Sequence, residues 1–254
     1  MLADKVVFLT GGADGIGWEC ALAYAKAGAT VCIADINPGG ENRINLLQGE
    51  KHLFIKCDVS FEDDVKLAIE TVIKTFGRLD IVHNNAGIVN PSKPLHTTTN
   101  QEWESLMNIN LKSILFTTRY ALDHLAASEG NILNTSSLVG SIGQDNHAAY
   151  VATKGAVNAL TKAMALDYAK LKVRVNAVAP AAIKTPALDA WSQQQPNVSE
   201  IKNYLNKLQP LGAMPAGDVI ADACVFLVSD AARFITGCIL TVSGGAELGY
   251  KILV

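Results

Sequence analysis

The sequence predicts an α/β fold in a single domain spanning residues 1–254: one doubly wound, seven-stranded parallel sheet with helices on both faces. Three observations carry that prediction. Short apolar runs rich in Val and Ile alternate with longer helical stretches from one end to the other, and a strand that is apolar throughout is one covered on both faces. The first strand leads through a glycine-rich turn directly into a helix, the opening of a βαβ unit. No repeat or Pro/Gly/Ser-rich linker divides the 254 residues, a length at which doubly wound sheets form one core.

Val6–Thr10 is the first strand, and Gly11-Gly-Ala-Asp14-Gly15-Ile16-Gly17 follows it. The glycines allow a tight turn and close backbone approach, and the helix expected over 18–27 offers free N–H groups and a positive dipole end to a pyrophosphate. Thr30–Ala34 is the second strand. It ends in Asp35, where a carboxylate accepts hydrogen bonds from an adenosine ribose and repels a 2′-phosphate. Neither Asp14 nor Ile36 supplies a compensating cation, so NAD is the expected dinucleotide. A third strand over 52–57 ends at Asp58-Val59, placed to flank the adenine edge, and an amphipathic helix over 61–76 follows.

The fourth strand, 79–83, runs into Asn84-Asn85-Ala86-Gly87. Asparagine suits a sharp turn and can pin neighbouring strands, while Ala86 and Gly87 leave room for a ribose. One helix is expected over 101–127 with Asn110 among apolar residues, where a mediocre helix former needs a hydrogen-bonding role. The fifth strand, 130–135, delivers Ser136 and Ser137 at its C-terminal end, where ligands bind in open α/β sheets. A helix over 148–169 carries Tyr150 and Lys154, four apart and therefore on one face. An ammonium beside a phenol favours the phenolate, which suits Tyr150 to exchange a proton with an alcohol or carbonyl oxygen. A sixth strand over 173–179 precedes Pro180. Residues 186–215 turn polar and irregular, as in a mobile lid, before a helix over 216–229 and a seventh strand over 238–242.

Composition narrows the function classes. With 49% hydrophobic and 18% charged residues and a net charge of −3, the chain is a core-rich globule with no basic field for nucleic acid. The apolar run near Met1 falls far short of a signal or membrane span, so a cytoplasmic protein with no membrane partner is expected. The five cysteines are an odd set read as reduced core thiols. His52, His83, His96, His124 and His147 show no metal-ligand spacing, so no metal is expected.

Taken together, Thr10-Gly-Gly-Ala-Asp-Gly-Ile-Gly17, Asp58, Asn84-Asn-Ala-Gly87, Asn110, Ser137, Tyr150-x-x-x-Lys154 and Thr185 resemble the short-chain dehydrogenase/reductase family over nearly the whole chain. The resemblance implies a Rossmann fold, NAD as cofactor, a homotetramer, and interconversion of a secondary alcohol with a ketone, or of a sugar's anomeric hydroxyl with its lactone. On the matching positions it implies that Tyr150 takes the alcohol proton and Ser137, thirteen residues earlier, bonds the substrate oxygen. Lys154 would hold the nicotinamide ribose and lower the tyrosine pKa, Asn110 would position a relay water, and Pro180, Ile183 and Thr185 would meet the nicotinamide end. Gln144, His147, Trp191 and Tyr250 are the candidate substrate contacts. Two positions depart from the family pattern, Ala181 in place of a glycine after Pro180, and Ser243 in place of an aspartate before Gly244. The alternative is a non-catalytic NAD-binding sensor or scaffold, which loss of a catalytic group would mark; none is lost.

Overall fold

The computed structural model describes residues 1–249 and forms a seven-stranded, entirely parallel sheet in the order β3-β2-β1-β4-β5-β6-β7. The strands are β1 (Val6–Thr10), β2 (Thr30–Asp35), β3 (Leu53–Lys56), β4 (Ile81–Asn84), β5 (Asn131–Thr135), β6 (Arg174–Pro180) and β7 (Ile239–Val242). Alternation along β1 divides the core into two layers. Val6 and Phe8 face α3 (Glu62–Phe76), α5 (Ser113–Ala127) and α6 (Ala148–Tyr168), whereas Val7 and Leu9 face α1 (Gly15–Lys26) and α9 (Asp218–Val228). Each aliphatic side chain buried there stabilises by about 1.5–3 kcal/mol, and together they hold the strand ends in fixed register. β1 pairs with both β2 and β4, so the chain reverses direction across the sheet between them and opens a crevice at their C-terminal ends.

Local signals set the helix ends. Asp14 caps α1 by accepting from the Gly15 N–H, Gly77 closes α3 at φ +71°, and Thr99 with Glu102 forms a capping box on α4 (Asn100–Met107). A four-residue helix, α2 (Gly40–Arg43), follows β2.

Two sequence expectations need correction. The helix expected over 101–127 is instead α4, a π-helical turn at Asn108–Lys112, and α5. The wide turn lies where the Asn110 amide is drawn sideways to the backbone of Ile88. The segment 186–215, expected to be irregular, contains α7 (Pro186–Gln193) and α8 (Val198–Lys207). Their start signals lay within the polar stretch: Thr185 caps the Leu188 N–H ahead of Pro186 at the first helical position, and the Asn197 side chain accepts from Glu200 N.

Candidate active site

The crevice between β1 and β4 is made by two interlocked turns. Thr10 Oγ1 accepts the N–H groups of Asn85 (3.0 Å) and Ala86 (3.1 Å), and Asn85 Nδ2 donates to the carbonyls of Thr10 and Gly11 at 3.1 and 3.0 Å. Beside it, Asn84 Nδ2 donates to Asn134 Oδ1 (2.9 Å) while Thr117 Oγ1 donates to Asn84 Oδ1 (2.7 Å), tying β4 to β5 and α5. The turns meet so closely that glycine is required. A Cβ on Gly11, whose φ is +64°, would lie 2.8 Å from Ala86 Cα, and one on Gly17 would lie 2.0 Å from the Gly11 carbonyl oxygen.

A cavity of 440 Å³ follows this crevice. Gly11, Asp14, Ile16, Gly17, Asp35 and Ile36 line one end, with Asp58 and Val59 beside them. Asn85, Ala86, Gly87, Pro180, Thr185, Tyr150 and Lys154 line the rest. Of the expected cofactor residues, Gly15 and Ile183 do not line it. Gly15 is the first residue of α1 at φ +54°, packed toward Thr185, and the buried Ile183 faces a second cavity. Asp35 is held in place before any ligand arrives, since Oδ2 accepts from Ala13 N (2.9 Å) and Oδ1 from Asn37 N (2.8 Å). Asp58 Oδ1 accepts twice from Ser60. A cation invisible to local sequence reading does stand on the loop. Arg43, from α2, donates to the Ala13 carbonyl at 2.6 Å, pairs with Asp14 at 3.2 Å and stacks 4.4 Å over Trp18. Those contacts hold its guanidinium on the loop.

Tyr150 and Ser137 line both cavities, at the point where they join. Lys154 lies one turn along α6, 96% buried, its Nζ 5.8 Å from the Tyr150 ring centroid and donating to the Thr135 carbonyl at 2.8 Å. From the protein's own groups, burial pushes the Tyr150 phenol above its ordinary value while a Ser137 hydrogen bond pulls it down. Burial also lowers Lys154 to about 8. Among the protein's own groups desolvation is the dominant cause at both residues, disfavouring the phenolate and the ammonium alike. Asn110 is 97% buried and its amide makes three hydrogen bonds: Oδ1 accepts from Ile88 N (2.8 Å), and Nδ2 donates to the Ile88 carbonyl (2.8 Å) and Thr153 Oγ1 (3.1 Å). Its side chain thus fastens the turn after β4 to α6. Ser136 also lines the crevice, but its hydroxyl is engaged, donating to Asn158 Oδ1 at 2.5 Å. Ala181 lines both cavities and is not among the positive-φ residues, so its methyl group strains no backbone.

The second cavity, 640 Å³, lies between α6, α7 and α8 and is walled by Gln144, His147 and Trp191. Tyr250 lies outside the described residues. Ser92, which the sequence did not single out, joins two of these groups: Trp191 Nε1 donates to Ser92 Oγ at 2.8 Å, and Ser92 Oγ lies 2.6 Å from His147 Nε2. No local signal marks it, because its partners are 55 and 99 residues away in sequence.

The fold also gathers groups that sequence spacing kept apart. Ligand atoms of Cys20, His83 and Cys224 lie within 4.8 Å of one another, all buried between α1, β4 and α9. His83 already bonds Tyr24 OH through Nδ1 (3.0 Å) and Thr135 Oγ1 through Nε2 (2.9 Å), and burial drops its imidazole to about 3. Contact with Cys224 and burial push the Cys20 thiol well up. Both ring nitrogens of His83 are thus occupied by hydroxyl partners.

A family model described as Enoyl-(Acyl carrier protein) reductase matches residues 11–247. The L-fucose dehydrogenase of Bos taurus is 43% identical over 98% of this chain and 91% of its own length. The cis-4-hydroxycyclohexanecarboxylate dehydrogenase of Sinomonas cyclohexanicum is 36% identical over 96% of each chain. Among solved structures, the 3-ketoacyl-(acyl-carrier-protein) reductase of Brucella melitensis complexed with NADH superposes with a TM-score of 0.88 at 32% identity, covering 97% of this chain and 100% of the other.

Proposed function

The chain belongs to the short-chain dehydrogenase/reductase family, an NAD-dependent oxidoreductase acting on CH–OH groups, and from that premise we propose that it interconverts a cyclic secondary alcohol and its ketone or lactone. One observation carries the reading: Tyr150 and Ser137 stand at the junction of the crevice and the second cavity, with Lys154 directly beneath.

The residues present fit the dinucleotide. The Gly11–Gly17 turn leaves no space for side chains against the Asn85–Ala86 backbone, and Asp35 presents lone pairs not used by Ala13 and Asn37 to a ribose. In our reading Gly11, Asp14, Ile16 and Gly17 cradle the pyrophosphate, Ile36, Asp58 and Val59 flank the adenine, and Asn85, Ala86, Gly87, Pro180 and Thr185 border the nicotinamide ribose. Bound there, NAD would supply the hydride acceptor for the carbinol carbon and a positive ring that favours a nearby phenolate.

The chain's own groups handle the proton. Tyr150 takes it from the substrate hydroxyl as general base, and Ser137 donates to the same oxygen as its charge changes. Lys154 favours the phenolate and reaches the ribose hydroxyls. Asn110 positions the turn at Gly87 and Ile88 and the helix bearing Tyr150, so its role is one of placement. Gln144 contacts the distal part of the substrate, while α7 and α8, within 186–215, serve as the lid over it.

We read residues 1–254 as one catalytic domain that assembles as a homotetramer. Exposed large hydrophobic side chains support assembly: Trp103, Leu115 and Leu166 on α4, α5 and α6, and Val219 and Phe226 on α9. Among the described residues no helix is long and apolar enough to cross a membrane, and the five cysteines are unpaired, which supports a cytoplasmic location. A steady-state assay with NAD⁺ and a panel of cyclic alcohols and aldoses tests the proposal. Turnover is expected, falling to background in Tyr150→Phe while NAD binding persists; unchanged turnover in that variant refutes it.

A further inference from the structure

The second cavity carries more polar residue types than polar atoms facing a ligand, and the reason is Ser92. Proton positions along the chain Trp191–Ser92–His147–Asp145 follow from chemistry. An indole N–H only donates, so Ser92 Oγ accepts from Trp191 Nε1 at 2.8 Å. The Asp145 carbonyl only accepts, so His147 Nδ1, 2.8 Å away, carries the imidazole proton. His147 Nε2 is then an acceptor, and the remaining Ser92 proton points into it across 2.6 Å. Both rings are consumed: His147, 96% buried, and Trp191 turn their nitrogens toward Ser92, which itself does not line the cavity, and leave aromatic surface for a ligand.

The remaining polar atoms are unevenly placed. Ser137 and Tyr150 hold the reacting end, beside Thr185, whose Oγ1 accepts from Leu188 N. Asn90, Gln144, Gln194 and Tyr204 are all exposed at the mouth. Between them the buried wall is Leu138, Ile183, Leu205 and the His147 ring. A polyhydroxylated ring would place several hydroxyls against this wall, each stripped of water without a partner, whereas a saturated carbocycle loses nothing there.

Resting on the dehydrogenase reading above, we propose that the substrate is a carbocyclic secondary alcohol with at most a distal polar group, and that Ser92 is the specificity-determining residue that makes the pocket apolar. A polar group opposite the carbinol would reach Gln144 and the solvated mouth. Removing the Ser92 hydroxyl releases Trp191 Nε1–H and His147 Nε2 from it, so that the rings can turn a nitrogen toward ligand hydroxyls.

The test compares kcat/KM for cyclohexanol and for L-fucose with NAD⁺ in the full chain. Wild type favours cyclohexanol by at least about tenfold, the discrimination that a single unmatched hydroxyl in an apolar pocket can produce. Ser92→Ala narrows that ratio by at least about threefold, by the same reasoning. Ser92→Thr, which keeps the hydroxyl, preserves it. A purely structural serine would lower kcat/KM for both alcohols alike. L-fucose oxidised as well as cyclohexanol by wild type, or a ratio untouched in Ser92→Ala, overturns the inference. If neither alcohol is oxidised, the dehydrogenase reading is decided separately by the wider alcohol panel and the Tyr150→Phe comparison. Tryptophan fluorescence of the NAD complex titrated with cyclohexanol and with L-fucose then decides the pocket: tighter cyclohexanol binding supports the inference, and equal or weaker binding overturns it.

Discussion

Replacing Lys154 with methionine should make the protein more stable and nearly inactive. The amine is 4% exposed, and burial lowers its pKa from 10.5 to about 8. At pH 7 the folded state therefore carries a charge that the unfolded chain holds more easily, and linkage converts the displacement into roughly 3 kcal/mol against folding. Methionine has similar length and no charge to desolvate. It also leaves the Thr135 carbonyl without its 2.8 Å donor, a loss of about 1 kcal/mol. The net gain near pH 7 is about 2 kcal/mol, a rise in Tm of roughly 5 °C for a chain of this size. The pH dependence fixes the cause. Between pH 8 and 10.5 the unfolded lysine binds more protons than the folded one, so wild-type stability rises with pH through that window and is flat below it. The variant's advantage should shrink by about 2 kcal/mol between pH 7 and 9.5. Thermal unfolding of both proteins at the two pH values measures this, and kcat/KM at pH 7 should fall at least about a hundredfold. A Tm that drops at pH 7, or an offset independent of pH, would refute the argument that this site stores a desolvated cation.

Asp35→Ala should lower kcat/KM for NAD by roughly 10- to 100-fold, the worth of charge-assisted hydrogen bonds to a ribose. NADP should gain relative to NAD, because the repelling carboxylate is gone and Arg43 stands on the adjacent loop. Comparison of both cofactors in both proteins checks this, and an unchanged preference contradicts it. Light scattering should report a tetramer that dissociates in Leu166→Glu, which places a charge on an 80% exposed leucine of α6; a wild-type monomer at micromolar concentration contradicts the assembly.

Much of the fold was legible because its signals are local. Buried parallel strands read as uninterrupted Val/Ile runs, and glycines at close approaches read as turns. The glycine turn, Asp35 and the Tyr150/Lys154 spacing lie within single elements, so their juxtaposition follows once the strand order is known. The misread segments are those where a nonlocal contact or a masked cap decided the outcome. Asn110 opens a π turn because Ile88, 22 residues earlier, bonds both ends of its amide. The 186–215 stretch looked irregular because Gln-rich polarity hid two helix caps.

By itself the sequence determined the parallel sheet and singled out the glycine turn, Asp35 and the Tyr150/Lys154 pair that the fold gathers along one crevice, since periodicity, turn chemistry and the spacing of two side chains on one helix are properties of neighbouring residues. Tertiary structure alone decided the electrostatics and the character of the substrate pocket. Desolvation of Lys154 and Tyr150 depends on every element packed around them, and the loss of the His147 and Trp191 polar atoms to Ser92 arises only where three chain segments meet.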